Sequence, residues 1–205
     1  MKVYGHPRST CTRKVLTTLA EKGHEAEFIL VDITKGEQKK PEYLARHPFG
    51  VVPLLEDDGF SMYESRAIIR YLDAKLPGPR LTPGDHASLG RMEQWLSIEQ
   101  SYFSSAALDV IRELLFKPMR GEKPDTDKVS KGRDAAARAL DVADKALMVQ
   151  GYLAGDQFSL ADISWLPYLQ YLSATPHGTL LTERPHVKSW WQRISTRPSW
   201  KKVNG

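Results

Sequence analysis

Three short segments in the first third of this 205-residue chain place polar side chains where a loop meets a helix or a strand. Ser9-Thr10-Cys11-Thr12-Arg13 lies just before a helical pattern, where unsatisfied N–H groups and the positive end of the helix dipole favour an oxygen or sulfur anion. Hydroxyls at such a point most often just cap the helix, and taken alone the segment reads as a cap. Phe49-Gly50-Val51-Val52-Pro53 enters a strand through proline. Pro53 has no N–H for the ladder; a cis Val52-Pro53 bond would turn the Val52 N–H and C=O toward an extended ligand, whereas a trans bond would be an ordinary strand start. Tyr63-Glu64-Ser65-Arg66 opens a further helix. There Glu64 could hold a cation while Ser65 and the helix N-terminus hold an anion, the two charges of an amino-acid-like ligand. Acidic first turns are also common for dipole reasons alone.

The elements that must position these segments are legible from periodicity. Lys2 to Tyr4 is a short strand, Thr12 to Lys22 a helix with Val15, Leu16, Leu19 and Ala20 on one stripe, and Glu25 to Val31 the next strand. A helical turn follows at Pro41 to Arg46. Pro53 to Glu56 and Phe60 to Met62 flank Asp57-Asp58-Gly59 as a hairpin, and Glu64 to Leu76 closes the unit as a helix. The order βαβ, turn, ββ, α predicts a small α/β sandwich.

Pro77-Gly78-Pro79 and Pro83-Gly84 mark a change of pattern. Beyond them the stripe Leu89, Met92, Leu96, Phe103, Ala107, Val110, Leu114 predicts one long amphipathic helix starting at the cap Asp85. Further stripes at 133–149 and 187–194 make the second unit an all-α bundle. Ser159 and Asp162 fit a capping box that starts a buried helix, and Pro167 is expected to kink or locally unwind that helix.

One cysteine excludes an internal disulfide and a multi-thiolate zinc site, and no spacing among the six histidines suits a metal. The net charge of +4 is evenly spread: residues 1–80 carry 13 Lys+Arg against 11 Asp+Glu, leaving 16 against 14. That mixture argues against a nucleic-acid face. No apolar run is long enough to cross a membrane and the start lacks a signal-peptide core, so a soluble, cytoplasmic protein is expected.

Taken together and in this order, the segments resemble the cytosolic glutathione transferase family over essentially the whole chain. The stretches Ser9 to Val15, Lys35-Gly36-Glu37, His47-Pro48-Phe49-Gly50 and Glu64 to Ile68 are most similar to its phi class and bacterial relatives. The resemblance implies a thioredoxin-like glutathione-binding domain at 1–76, a linker at 77–85 and an all-helical domain lining the electrophile site at 86–205. It implies Ser9 as the hydroxyl that stabilises the glutathione thiolate, with Val52, Pro53, Glu64, Ser65 and Lys39 binding the tripeptide, and Pro53 at the position of the fold's cis-proline. Glutathione is then a co-substrate, no cofactor is covalently bound, and the chain forms a homodimer acting on hydrophobic electrophiles and also on hydroperoxides. Pro7, Phe103, Ile111 and Leu115 are candidates for the electrophile pocket, the last three equally for core. Gln38 and Val51 stand where the phi class usually carries histidine and glutamine. Cys11 leaves open a thiol transferase that forms a mixed disulfide with glutathione, and a non-catalytic ligand carrier is a further alternative.

Overall fold

The structure, a computed structural model, describes residues 1–204. Two compact units emerge: residues 1–81 together with the chain from Pro198, and Thr82–Arg197.

The first unit runs β1 (Lys2–Gly5), α1 (Thr10–Glu21), β2 (Glu27–Leu30), a 3-10 turn at Glu37–Lys39, α2 (Pro41–Leu44), β3 (Leu54–Asp57), β4 (Phe60–Tyr63) and α3 (Ser65–Lys75). The strands form one sheet in the order β2-β1-β3-β4. β1 is parallel to β2 and antiparallel to β3, with Tyr4 opposite both Ile29 and Leu54, and Leu54 in turn opposite Tyr63. Alternation along the strands then sorts the side chains by face. Tyr4 and Leu54 join Val31, Tyr43 and Val52 in one cluster under α2. Val3 and Leu55, also opposite one another and fully buried, point to the other face, which α1 and α3 cover. The hairpin turn has positive φ at both Asp58 (49°) and Gly59 (81°), the backbone twist that a two-residue hairpin needs.

The division between units differs from the sequence expectation at both ends of the helical segment. Lys22 and Asp73 form a buried ion pair at 2.9 Å, and Lys22 Nζ also donates to the Pro79 carbonyl at 2.9 Å. Leu81 N–H donates to Asp73 Oδ1 at 3.0 Å. The first half of the linker is thereby fastened to the first unit. A final helix, which we number α10 (Pro198–Asn204), also returns there: Trp200 is buried, Arg13 donates to Asn204 Oδ1 at 2.7 Å, and Ser199 bonds Glu21.

The helical unit holds α4 (His86–Ile98), α5 (Ser104–Ile111), α6 (Thr126–Leu147), α7 (Leu160–Ser173), α8 (Thr179–Thr182) and α9 (Pro185–Ser195). The long helix expected from Asp85 is interrupted by two π turns, Glu99–Phe103 and Arg112–Phe116, each taking up one extra residue. Trp165 on α7 stacks on Phe103 at 4.1 Å between ring centroids and meets Trp95 and Trp190 edge-on. Phe103 and Ile111 are fully buried and belong to this core, whereas Leu115 is half-buried. Pro167 does not unwind α7, which is helical throughout; burial of eleven of its 14 residues offsets the hydrogen bond that proline removes.

Candidate active site

The register of the sheet decides which segments meet. Tyr4, Leu54 and Tyr63 lie side by side across β1, β3 and β4, so whatever follows Tyr4, precedes Leu54 or follows Tyr63 emerges at one end of the sheet. Those are the loop to Ser9, the Val52-Pro53 dipeptide and the Glu64-Ser65 pair. β2 ends at the same side, where Val31 N–H reaches the Gly5 carbonyl at 2.8 Å, and the turn carrying Lys39 follows it.

Ser9 is the N-cap of α1, and its Oγ accepts the Thr12 N–H at 3.2 Å. Cys11 sits in the first turn of the same helix and is half-buried. Pro7 is exposed. The Val52-Pro53 bond is cis. The Val52 N–H and C=O make no hydrogen bond among the described residues, which leaves a donor and an acceptor for an extended chain. Glu64 is exposed and has φ 73° and ψ 102°, a conformation that costs a non-glycine residue of order 1–3 kcal/mol and is found mainly where surroundings enforce it. Neither its carboxylate nor the Ser65 hydroxyl makes a side-chain hydrogen bond or ion pair among the described residues. Lys39 donates to the Phe49 carbonyl at 3.1 Å. Gly50 allows this contact: a Cβ there would lie 2.8 Å from the Gln38 carbonyl and 3.0 Å from the Lys39 side chain.

Comparison with known proteins places the chain in a family. Residues 1–74 match the glutathione S-transferase N-terminal domain and residues 103–198 the glutathione S-transferase C-terminal domain. Glutathione S-transferase F10 of Arabidopsis thaliana is 39% identical over 97% of this chain and 94% of its own. The chain belongs to the glutathione S-transferase family. It is most similar to the plant phi class. The crystal structure of glutathione transferase F7 from Populus trichocarpa superposes with a TM-score of 0.95 at 39% identity, covering 99% of this chain and 97% of that one. The maize glutathione S-transferase I in complex with an atrazine glutathione conjugate superposes at 0.90 with 34% identity, covering 98% and 95%.

Two histidines to which the sequence assigned no role brace the candidate site. His47 is buried and stacks on Tyr63, the residue before Glu64, with centroids 4.5 Å apart, while Phe49 meets both rings edge-on. It therefore ties the loop before Val52 to the strand before Glu64. Burial holds its imidazole below the ordinary value and Lys39 adds to this, with Glu64 opposing. His6 braces the loop that carries Ser9. Neither role has a local signal, because each depends on partners fixed only by the sheet register and the loop backbone. Tyr4, at the end of β1, is taken up in packing: its hydroxyl donates to Glu56 at 2.8 Å and Arg46 covers its ring. Among the described residues no His, Cys, Asp and Glu cluster could hold a metal, and no helix is long and apolar enough to cross a membrane.

Proposed function

We propose that this enzyme uses Ser9 to stabilise the thiolate of bound glutathione for attack on hydrophobic electrophiles. The Ser9 hydroxyl carries the reading. Its oxygen accepts the Thr12 N–H, so a lone pair caps the helix while the O–H proton stays available for a sulfur anion. Capping and thiolate stabilisation therefore use different parts of one group. A free thiol titrates near pH 8.5, and lowering that by about two units needs roughly 2.7 kcal/mol of preference for the anion. One charge-assisted hydrogen bond with the N-terminus of α1 is of that size.

In this reading the Val52 main chain pairs with the cysteinyl backbone of the tripeptide, beside Pro53. Glu64 takes the γ-glutamyl ammonium, and Ser65 with the N-terminus of α3 takes its carboxylate. Lys39 faces the glycine carboxylate with the ammonium hydrogens that Phe49 leaves over. The thiol proton passes to solvent, sulfur bonds to the electrophilic carbon, and the leaving group departs with its electron pair. Holding the two reactants together supplies the rest of the acceleration. The conjugate bound by the maize relative supports this substrate class. The same thiolate would attack the peroxide oxygen of organic hydroperoxides, breaking the O–O bond and releasing an alkoxide that takes a proton to become the alcohol; a second glutathione then reduces the resulting sulfenic acid to glutathione disulfide and water. We further propose a cytoplasmic homodimer with one such site in each chain.

The test is the pH dependence of glutathione conjugation to an aryl halide by the native protein, Ser9→Ala and Cys11→Ala. Loss of one oxyanion-type donor should lower the Ser9→Ala rate by roughly 100-fold and raise the apparent thiol pKa, with Cys11→Ala near native. A silent Ser9→Ala combined with disulfide exchange that dies with Cys11→Ala would establish the thiol transferase instead. Binding of hydrophobic ligands with no turnover would establish the carrier.

A further inference from the structure

The loop between β1 and α1 is held from both ends by His6. Its N–H donates to Thr12 Oγ1 at 3.3 Å, its carbonyl accepts the Ser9 N–H at 2.9 Å, and its Nδ1 accepts the Arg8 N–H at 3.1 Å. Thr12 then returns its own N–H to Ser9 Oγ at 3.2 Å. A further bond, from Arg13 Nε to the Pro7 carbonyl at 2.8 Å, does not change with pH.

An imidazole nitrogen accepts a hydrogen bond only while it carries no proton, so the Arg8 contact selects the neutral ring with its hydrogen on Nε2. Protonation would set Nδ1–H against the Arg8 N–H, two donors facing one another. His6 is 6% exposed, so water cannot readily take over the lost bond. Two charges face the ring: Arg8 from the loop itself and Asp32 from the segment after β2. Burial and Arg8 hold the imidazole below 6.5 against the opposing pull of Asp32.

We propose that His6 is a proton-controlled positioning residue: neutral, it holds the Arg8–Ser9 turn in the shape that presents the Ser9 hydroxyl, and protonated, it releases that turn. The consequence for catalysis rests on Ser9 as the thiolate donor. Full activity then requires two deprotonations, of the thiol and of the imidazole, and the acid limb of the rate profile is correspondingly steep. Asparagine is the discriminating replacement. Its Oδ1 accepts the N–H two residues on, as in an Asx turn, and does not titrate.

The full-length protein without glutathione is followed by NMR between about pH 5 and 8, observing the His6 ring and the Arg8 amide. The Arg8 resonance should move with the His6 midpoint, and that movement should vanish in His6→Asn. In conjugation assays, kcat/KM of the native enzyme should fall more than 10-fold per pH unit through the His6 midpoint, the excess summing to about the 10-fold that loss of the turn costs, and that of His6→Asn by about 10-fold per unit throughout. His6→Ala, which lacks the turn at every pH, should be roughly 10-fold slower than native at neutral pH, and His6→Asn should restore most of that loss. An Arg8 amide that ignores the His6 titration overturns the proposal, as does a His6→Asn profile as steep as native. The NMR experiment tests the turn independently of catalysis, whereas a Ser9→Ala enzyme with native rate would overturn the Ser9 reading and leave the turn standing.

Discussion

Two serines are helix N-caps in this molecule, one in each unit, and only one of the two keeps its hydroxyl proton unused. Ser159 caps α7 with an aspartate at the third helical position, and the box is closed: Asp162 accepts the Ser159 N–H at 2.9 Å and its hydroxyl at 3.0 Å. The other carboxylate oxygen accepts Leu153 N–H at 3.0 Å and Trp190 Nε1–H at 2.8 Å, all of it buried. Ser9 caps α1 with a threonine at the third position, which gives an N–H and takes nothing back from the hydroxyl. The exchange of Asp for Thr separates a cap whose hydroxyl is used from one whose hydroxyl proton is left over. On the proposed function, the first unit works through hydrogen-bonding capacity that the fold leaves unused, at Ser9, Val52, Glu64 and Ser65.

The contrast can be broken most forcefully at Asp162. Removing the acceptor of four buried donors in Asp162→Ala should cost about 3–5 kcal/mol of unfolding free energy, read by denaturant titration. A loss under 1 kcal/mol would show the box to be dispensable. At Lys22, whose loss would deprive the buried Asp73 carboxylate of its ammonium, Lys22→Met should cost a similar amount and loosen the chain from Pro79 to Leu81, measured as faster amide exchange at Leu81. Ser9→Ala reverses the pattern, with about 1 kcal/mol or less of stability set against a roughly 100-fold loss of conjugation. Ser159→Ala, the matched control, should cost about 1 kcal/mol in stability and leave kcat unchanged. The smallest effect is at Asp57, which Lys75 and Tyr71 hold below the usual carboxylate range. Its folded-state pKa is depressed, so its stabilisation is complete above the unfolded value of 3.8 and disappears as pH falls through the folded one. Asp57→Asn should lower thermal stability slightly at neutral pH, where that stabilisation is complete, and flatten the acid-side decline.

Much of this was legible in the chain itself because it is local. The stripe at Val15 and Leu19, the turn at Asp58-Gly59 and the box at Ser159 and Asp162 each lie within one element, and periodicity or turn chemistry specifies them. The candidate site was legible as three segments and a family pattern. Part of what stayed hidden depends on partners far away in sequence, and part on local geometry that leaves no mark on periodicity. Trp200 and Ser199 return α10 to a helix that starts at Thr10, and Lys22 reaches Pro79 across the whole first unit. The two π turns keep the apolar stripe running while inserting a residue, so a count of threes and fours passes over them. His6 and His47 carry no periodic signal: one is recruited by a backbone N–H, the other by a ring brought beside it through strand pairing.

The account turns on the proton of Ser9, and the most direct measurement is the pKa of enzyme-bound glutathione, followed by thiolate absorbance in the native protein, Ser9→Ala and Ser159→Ala. The expected result is a native value about two units below 8.5, a return most of the way to 8.5 in Ser9→Ala, and no change in Ser159→Ala. A Ser9→Ala protein that holds the thiolate as well as the native one would contradict it.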